Sequence, residues 1–154
     1  MKALGVSLLM LLAIAPAPAN EAPDNSREIS GEVDAVWSDI IDVFAIRGIP
    51  LATVDKDAGI VVSEPAAVSD PSLADCGQLS WGEKVLEFSA EYSVLVRHTN
   101  SSSQQVTVAS EYVQERWSMV KDDVHDVPCE STGAFEAALL DEWQRRSLSH
   151  QAGT

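Results

Sequence analysis

Basic residues are scarce in this sequence. Its 154 residues include 10 Lys and Arg against 24 Asp and Glu, which gives a formal net charge of -14 at pH 7. Proteins that bind nucleic acid neutralise the phosphate backbone with clustered Lys and Arg, and polybasic segments draw proteins to anionic membranes. The composition therefore excludes nucleic acid as a partner and disfavours an anionic membrane surface.

Catalytic signatures are also missing. The three histidines, His98, His125 and His150, stand in no spacing that is typical of a hydrolase or of a zinc enzyme. The segment 77–82 contains Gly and Ser but does not form a G-x-S-x-G nucleophile elbow. We therefore predict that the protein is not an enzyme, and we predict no catalytic residues and no cofactor.

The N-terminus is typical of a signal peptide. Lys2 precedes an almost continuously apolar segment, 4–14, and small residues then end in an A-x-A pattern at Ala19. The apolar segment is shorter than the roughly 20 residues that span a bilayer. We predict cleavage after Ala19, no lipid attachment and no stable membrane insertion afterwards, which makes the protein periplasmic or secreted and of bacterial origin.

Two cysteines, Cys76 and Cys129, fit this compartment. They do not form a C-x-x-C motif, and neither has a Lys or His beside it to lower the pKa of its thiol. An exported protein with an even number of cysteines oxidises them. We predict a Cys76–Cys129 disulfide that has a structural role.

Hydrophobic periodicity predicts one α+β domain at residues 29–148. A flexible lead-in, 20–28, precedes the domain, and a loose tail, 149–154, follows it. Apolar residues recur at helical spacing in 31–47 and in 132–147, and each segment begins near a Ser or Thr that can cap a helix. The sequence therefore predicts a helix at each end of the domain.

Strand patterns lie between the two helices. Short apolar segments at 51–54 and 60–63 predict one hairpin, and alternating apolar and polar residues at 86–97 and 106–117 predict a longer one. The segments between these elements, including 121–130, look irregular. The predicted fold is a four-stranded antiparallel sheet with both helices on one face, in the order α-β-β-β-β-α, with one disulfide.

Three motifs occur within residues 32–64. They are Val36-Trp37 in the first helix, Arg-Gly-Ile-Pro-Leu at 47–51, which leads into a strand, and the hairpin at 55–62. Together they resemble the helix-grip modules of BamC-type envelope lipoproteins, which assist the assembly of outer-membrane proteins. The resemblance implies a helix-grip-like fold.

Two registers are open for the long hairpin. In one register, glutamates face each other, as Glu91 and Glu111 do, which is unfavourable unless a hard cation such as calcium lies between them. A shift by two residues instead pairs Tyr92 with Tyr112 and separates the acids. We predict the shifted register, because the calcium site would lack backbone carbonyl ligands.

One short segment concentrates side chains that can bind metals. It contains Asp122, Asp123, His125 and Asp126. Their spacing matches no zinc, copper or EF-hand site. We interpret the segment as a solvated acidic loop and keep a metal site as the alternative.

Trp81 stands in a predicted loop, between Ser80 and Gly82. A large aromatic residue in such a loop either plugs the edge of the core or contacts a partner. We favour the plug, because single exposed apolar residues are common, and we keep the partner contact as the alternative.

Three classes of function remain. The leading hypothesis is an exported, non-catalytic binding or accessory protein of the bacterial cell envelope, with a protein partner. The alternative is a carrier that holds a small apolar ligand in a cavity between the sheet and the helices. An enzyme of unknown type, using paired carboxylates on the sheet, ranks third.

Overall fold

A computed structural model of the protein describes residues 25–152. The predicted signal peptide, 1–19, lies outside these residues. The elements are, in chain order, β1 (Ser26–Ser30), α1 (Val33–Ile46), β2 (Leu51–Asp55), β3 (Ile60–Ser63), β4 (Ala66–Ala67), β5 (Ala74–Asp75), β6 (Glu83–Asn100), β7 (Ser103–Ser118), β8 (Asp123–Ser131) and α2 (Ala134–Ala152).

The strands form one antiparallel sheet of eight strands. Its main order is β2-β3-β6-β7-β8-β5, while β1 pairs with β7 and β4 pairs with β6. The prediction of an α+β protein is confirmed. The prediction of a four-stranded, helix-grip-like sheet in the order α-β-β-β-β-α is wrong, because β1, β4, β5 and β8 are additional strands.

The additional strands carry weak sequence signals. Both β4 and β5 have two residues, which is too short for any periodicity. The first residues of β1 fall within the predicted lead-in 20–28, and only Ile29 in this strand is fully buried. In β8 no residue is fully buried, and its exposed positions are rich in acids, which explains why 121–130 looked like a loop.

Both predicted helices are present. The first, predicted at 31–47, is α1, and Gly48 follows it with a positive φ of 68°, a conformation that glycine adopts without strain. The second, predicted at 132–147, is α2, which continues to Ala152 and so includes part of the predicted loose tail 149–154. None of the helices in residues 25–152 is both long and apolar enough to cross a membrane.

The core lies between the helices and one face of the sheet. Trp143 on α2 packs against Phe44 on α1, with ring centroids 6.3 Å apart. Alternate residues of β6 and β7 complete this core from the sheet. The prediction that Trp37 and Trp143 are core residues is confirmed, since both side chains are buried.

The register of the long hairpin differs from the prediction. Glu91 faces Glu111, and Tyr92 faces Ser110 rather than Tyr112. Both registers bury the same alternate residues, so the turn decides between them: Asn100 Oδ1 accepts a hydrogen bond of 2.9 Å from the Ser102 backbone N–H. This local bond favours a tight turn and with it the pairing that places Glu91 opposite Glu111.

Candidate functional site

Exposed apolar side chains gather at one end of the sheet, where β6 begins and β7 ends. We call these four residues the apical cluster: Leu79, Trp81, Met119 and Val120. They are 50%, 81%, 51% and 68% exposed, respectively. The interpretation of Trp81 as a plug of the core is therefore wrong.

Two adjacent turns present the apical cluster. One is the segment 77–82 before β6, and the other joins β7 to β8. The Met119 backbone N–H donates a 2.9 Å hydrogen bond to the Gly82 carbonyl. A Cβ on Gly82 would lie 3.5 Å from the Met119 side chain and 3.6 Å from that of Val120. The two turns therefore meet at Gly82, next to Trp81 in sequence, where the Met119 and Val120 side chains lie close by.

The predicted Cys76–Cys129 disulfide is confirmed. Its sulfur atoms are 2.00 Å apart, and the bond joins the residue that precedes the segment 77–82 to β8. On a chain-entropy model, closing a loop of 53 residues stabilises a fold by about 4 kcal/mol. The disulfide therefore anchors one end of the turn that carries Trp81.

The Arg116 guanidinium also binds the backbone of the chain that leads to Trp81. Arg116 lies on β7 and is 4% exposed. Its Nη2 donates a 2.5 Å hydrogen bond to the Cys76 carbonyl, and its Nη1 donates one of 3.4 Å to the Gln78 carbonyl. Backbone carbonyls in a loop need donors when water is excluded, and one buried side chain supplies them here.

Glu83 completes this support. Its carboxylate accepts a 2.9 Å hydrogen bond from the Ser80 backbone N–H. It also lies 3.6 Å from Arg116 Nη1 and 3.7 Å from His125 Nε2. Trp81 therefore projects from a backbone that is fixed by charged hydrogen bonds.

The structure disperses the metal candidates. Asp122 occupies the β7–β8 turn with a positive φ of 53°. Asp123 lies 3.7 Å from His125 on one face of β8, whereas Asp126 pairs with Glu115 of β7 and alternates to the other face. Within residues 25–152, no group of three or more His, Cys, Asp and Glu side chains is arranged to hold a metal ion.

The outer face of the sheet carries opposed acidic side chains. Glu87 faces Glu115, which in turn faces Asp126, so three carboxylates cross the sheet in one row. Glu91 and Glu111 form a second like-charge pair. These acidic side chains concentrate negative charge on the outer face of β6, β7 and β8.

Sequence reasoning found two parts of this site and missed the rest. It selected Trp81 and the disulfide, but it did not select Arg116, Glu83, Met119 or Val120. One signal was available for Arg116: it continues the inward alternation of Val108 and Tyr112, and a charged residue at an inward position requires a buried partner. The sequence matches no model of a known protein family and no curated protein.

Proposed function

We propose that this protein is an exported, non-catalytic binding module of the bacterial cell envelope and that the apical cluster contacts a protein partner. The observation that carries the proposal is the exposure of Trp81 on a rigidly held turn. The disulfide supports export, because such bonds persist in oxidising compartments.

The apical cluster has the properties of a protein contact. Tryptophan is enriched among the residues that contribute most to binding energy. Single exposed apolar residues are ordinary, but here four of them share two adjacent turns. Because the disulfide and Arg116 already fix the backbone, binding loses little conformational entropy, which favours affinity.

The surrounding charge specifies the partner further. The carboxylate row of Glu87, Glu115 and Asp126 lies on the outer face of the strands that lead to the apical cluster. Complementary charge speeds association and rejects wrong partners. We expect the partner to present an apolar pocket for the indole, and basic residues wherever it reaches the outer face of the sheet.

Co-purification from the native envelope tests this proposal. The tagged full-length protein is compared with Trp81→Ser and with Leu148→Ser, which removes an exposed apolar side chain from α2. We expect Trp81→Ser to lose a partner that the wild type and Leu148→Ser retain, with unchanged thermal melting. Equal recovery of every bound protein by all three would contradict the proposal.

A further inference from the structure

A second candidate site, a cavity, lies at the other end of the long hairpin. The start of α1, the end of α2 and the β6–β7 turn line a cavity of about 590 Å³ that opens to solvent, which we call the end cavity. Its lining includes Glu32, Ala35, Asp39, Ser102 and His150. This volume lies within the range of small-molecule sites.

A buried carboxylate dominates the electrostatics of the end cavity. The Asp39 side chain is 8% exposed, and His150 Nε2 lies 3.3 Å from its Oδ1. Glu32 adds a second carboxylate, and no Lys or Arg belongs to the lining found in the described part of the chain. A buried carboxylate needs a partner, and His150, which is itself mostly exposed, is the partner of Asp39.

The walls of the end cavity are fixed by contacts within the protein. The Gly31 backbone N–H donates a 2.7 Å hydrogen bond to the Ser102 carbonyl. The backbone φ at Gly31 is +140°, a conformation that favours glycine, and a Cβ there would lie 3.2 Å from the Val36 side chain. The hairpin turn and α1 therefore hold the cavity open in a defined shape.

The polar side chains do not form a nucleophilic triad. Ser147 lies one helical turn before His150 on α2, and Asp39 lies beside that histidine. However, the Ser147 hydroxyl donates its hydrogen bond to the Ser30 carbonyl. A hydroxyl proton held by a carbonyl is not available to an imidazole base. The arrangement therefore suits binding rather than catalysis.

We propose that the end cavity binds a small organic molecule that carries a primary ammonium group. The Asp39 carboxylate accepts charge-assisted hydrogen bonds from the ammonium, and Ala35 and Val36 contact the apolar part of the molecule. The C-terminal end of α2 adds partial negative charge at the same place. A purely apolar ligand would shield these carboxylates from water without bonding to them, which disfavours it.

Isothermal titration at pH 7 tests the proposal with 2-phenylethylammonium, with 2-phenylethanol as a neutral probe of matched size. We expect saturable binding of the ammonium and at least tenfold weaker binding of the alcohol. Absence of saturable ammonium binding, or equal affinity for the two probes, would overturn the proposal.

Three variants test whether the ammonium binds in the end cavity. We expect Asp39→Asn to weaken ammonium binding at least tenfold. Ala35→Phe fills the cavity from an exposed position on α1. It should abolish binding although the Asp39 carboxylate is still present. Ala138→Phe, at an exposed position of α2 outside the lining, is the matched control. Loss of binding in the control as well, or full binding by Ala35→Phe, would overturn the assignment to this cavity.

Discussion

At the scale of single residues, buried polar groups determine how the apical cluster is held. Arg116 connects three structures: the strand on which it lies, the carbonyl groups of the segment that begins at Cys76, and the Glu83 carboxylate. Removing one partner from a buried ion pair leaves an uncompensated charge. The stability of this region therefore depends on one side chain.

The first prediction concerns that side chain. Arg116→Met keeps much of the volume but leaves the Glu83 carboxylate and the loop carbonyls without their donor. We expect the free energy of unfolding to fall by about 3 kcal/mol, measured by urea denaturation. Arg145→Met removes an exposed guanidinium and should change stability little. Similar small effects of both substitutions would show that Arg116 does not support the loop.

A second prediction concerns Tyr92 and Tyr112, whose rings meet edge to face 6.2 Å apart. Burial raises the pKa of both phenols above the ordinary value of 10.0. As pH rises past this value, the unfolded chain releases phenolic protons that the folded chain retains. Above pH 10 the free energy of unfolding therefore falls, by up to about 1.4 kcal/mol per pH unit for each tyrosine. Below pH 10 the two phenols leave it unchanged.

Thermal melting between pH 8 and pH 11 tests this dependence on the tyrosines. The variant Tyr92→Phe/Tyr112→Phe should lose less stability above pH 10 than the wild type does, whatever its stability at pH 8. The same alkaline slope in both proteins would contradict the prediction.

Three of the four tryptophans show what residue patterns can reveal. Trp37 and Trp143 lie on apolar helical stripes, and helical spacing places such residues in the core. No period describes the loop that contains Trp81. The chain just before this loop is held by the disulfide and by Arg116, which act across long separations in sequence, and a local pattern cannot contain that information.

At the scale of elements, the long hairpin of β6 and β7 shows which interaction determines a register. The turn bond between Asn100 and Ser102 fixes the pairing and brings Glu91 opposite Glu111. Directly opposed like charges destabilise a sheet. The protein therefore retains a repulsive pair that substitution can relieve.

The third prediction follows from this pair. Glu111→Gln should raise the free energy of unfolding by about 0.2–1 kcal/mol, measured by chemical denaturation. In a Glu91→Gln background the same substitution should bring no gain, because the repulsion is already gone. The shifted register would place Glu111 opposite Ser93, so a gain that does not depend on residue 91 would contradict the observed pairing.

Elements with a strong period were predictable, and elements defined by tertiary pairing were not. The two helices and the long hairpin show helical or alternating patterns over their own residues, and the short hairpin shows two short apolar segments. By contrast, β4 and β5 exist only because their backbones pair with β6 and β8. The acidic strand β8 looks like a loop because one of its faces is solvated.

At the scale of the whole molecule, the two candidate sites lie far apart. The apical cluster lies at one end of the long hairpin, and the end cavity lies at the other. The 18 residues of β6 span about 55 Å at the rise of an extended strand. Substitutions at one site should therefore leave binding at the other unchanged, so the two proposals can fail separately.

The fourth prediction concerns the total charge of -14. Excess charge of one sign destabilises a compact state by self-repulsion. Raising NaCl from about 10 mM to about 1 M shortens the Debye length from about 30 Å to about 3 Å. We expect the melting temperature to rise over this range and to rise equally in KCl. A melting temperature that falls or stays constant in both salts would contradict the prediction.

The central claim is that Trp81 contacts a protein partner, and photo-crosslinking in the intact envelope tests it most directly. A photoreactive benzoyl-phenylalanine is placed at position 81 and, as a control, at position 148. The account predicts a discrete protein adduct from position 81 that is absent from position 148 and is reduced by Leu79→Ser. No adduct from position 81, or the same adducts from both positions, would contradict it.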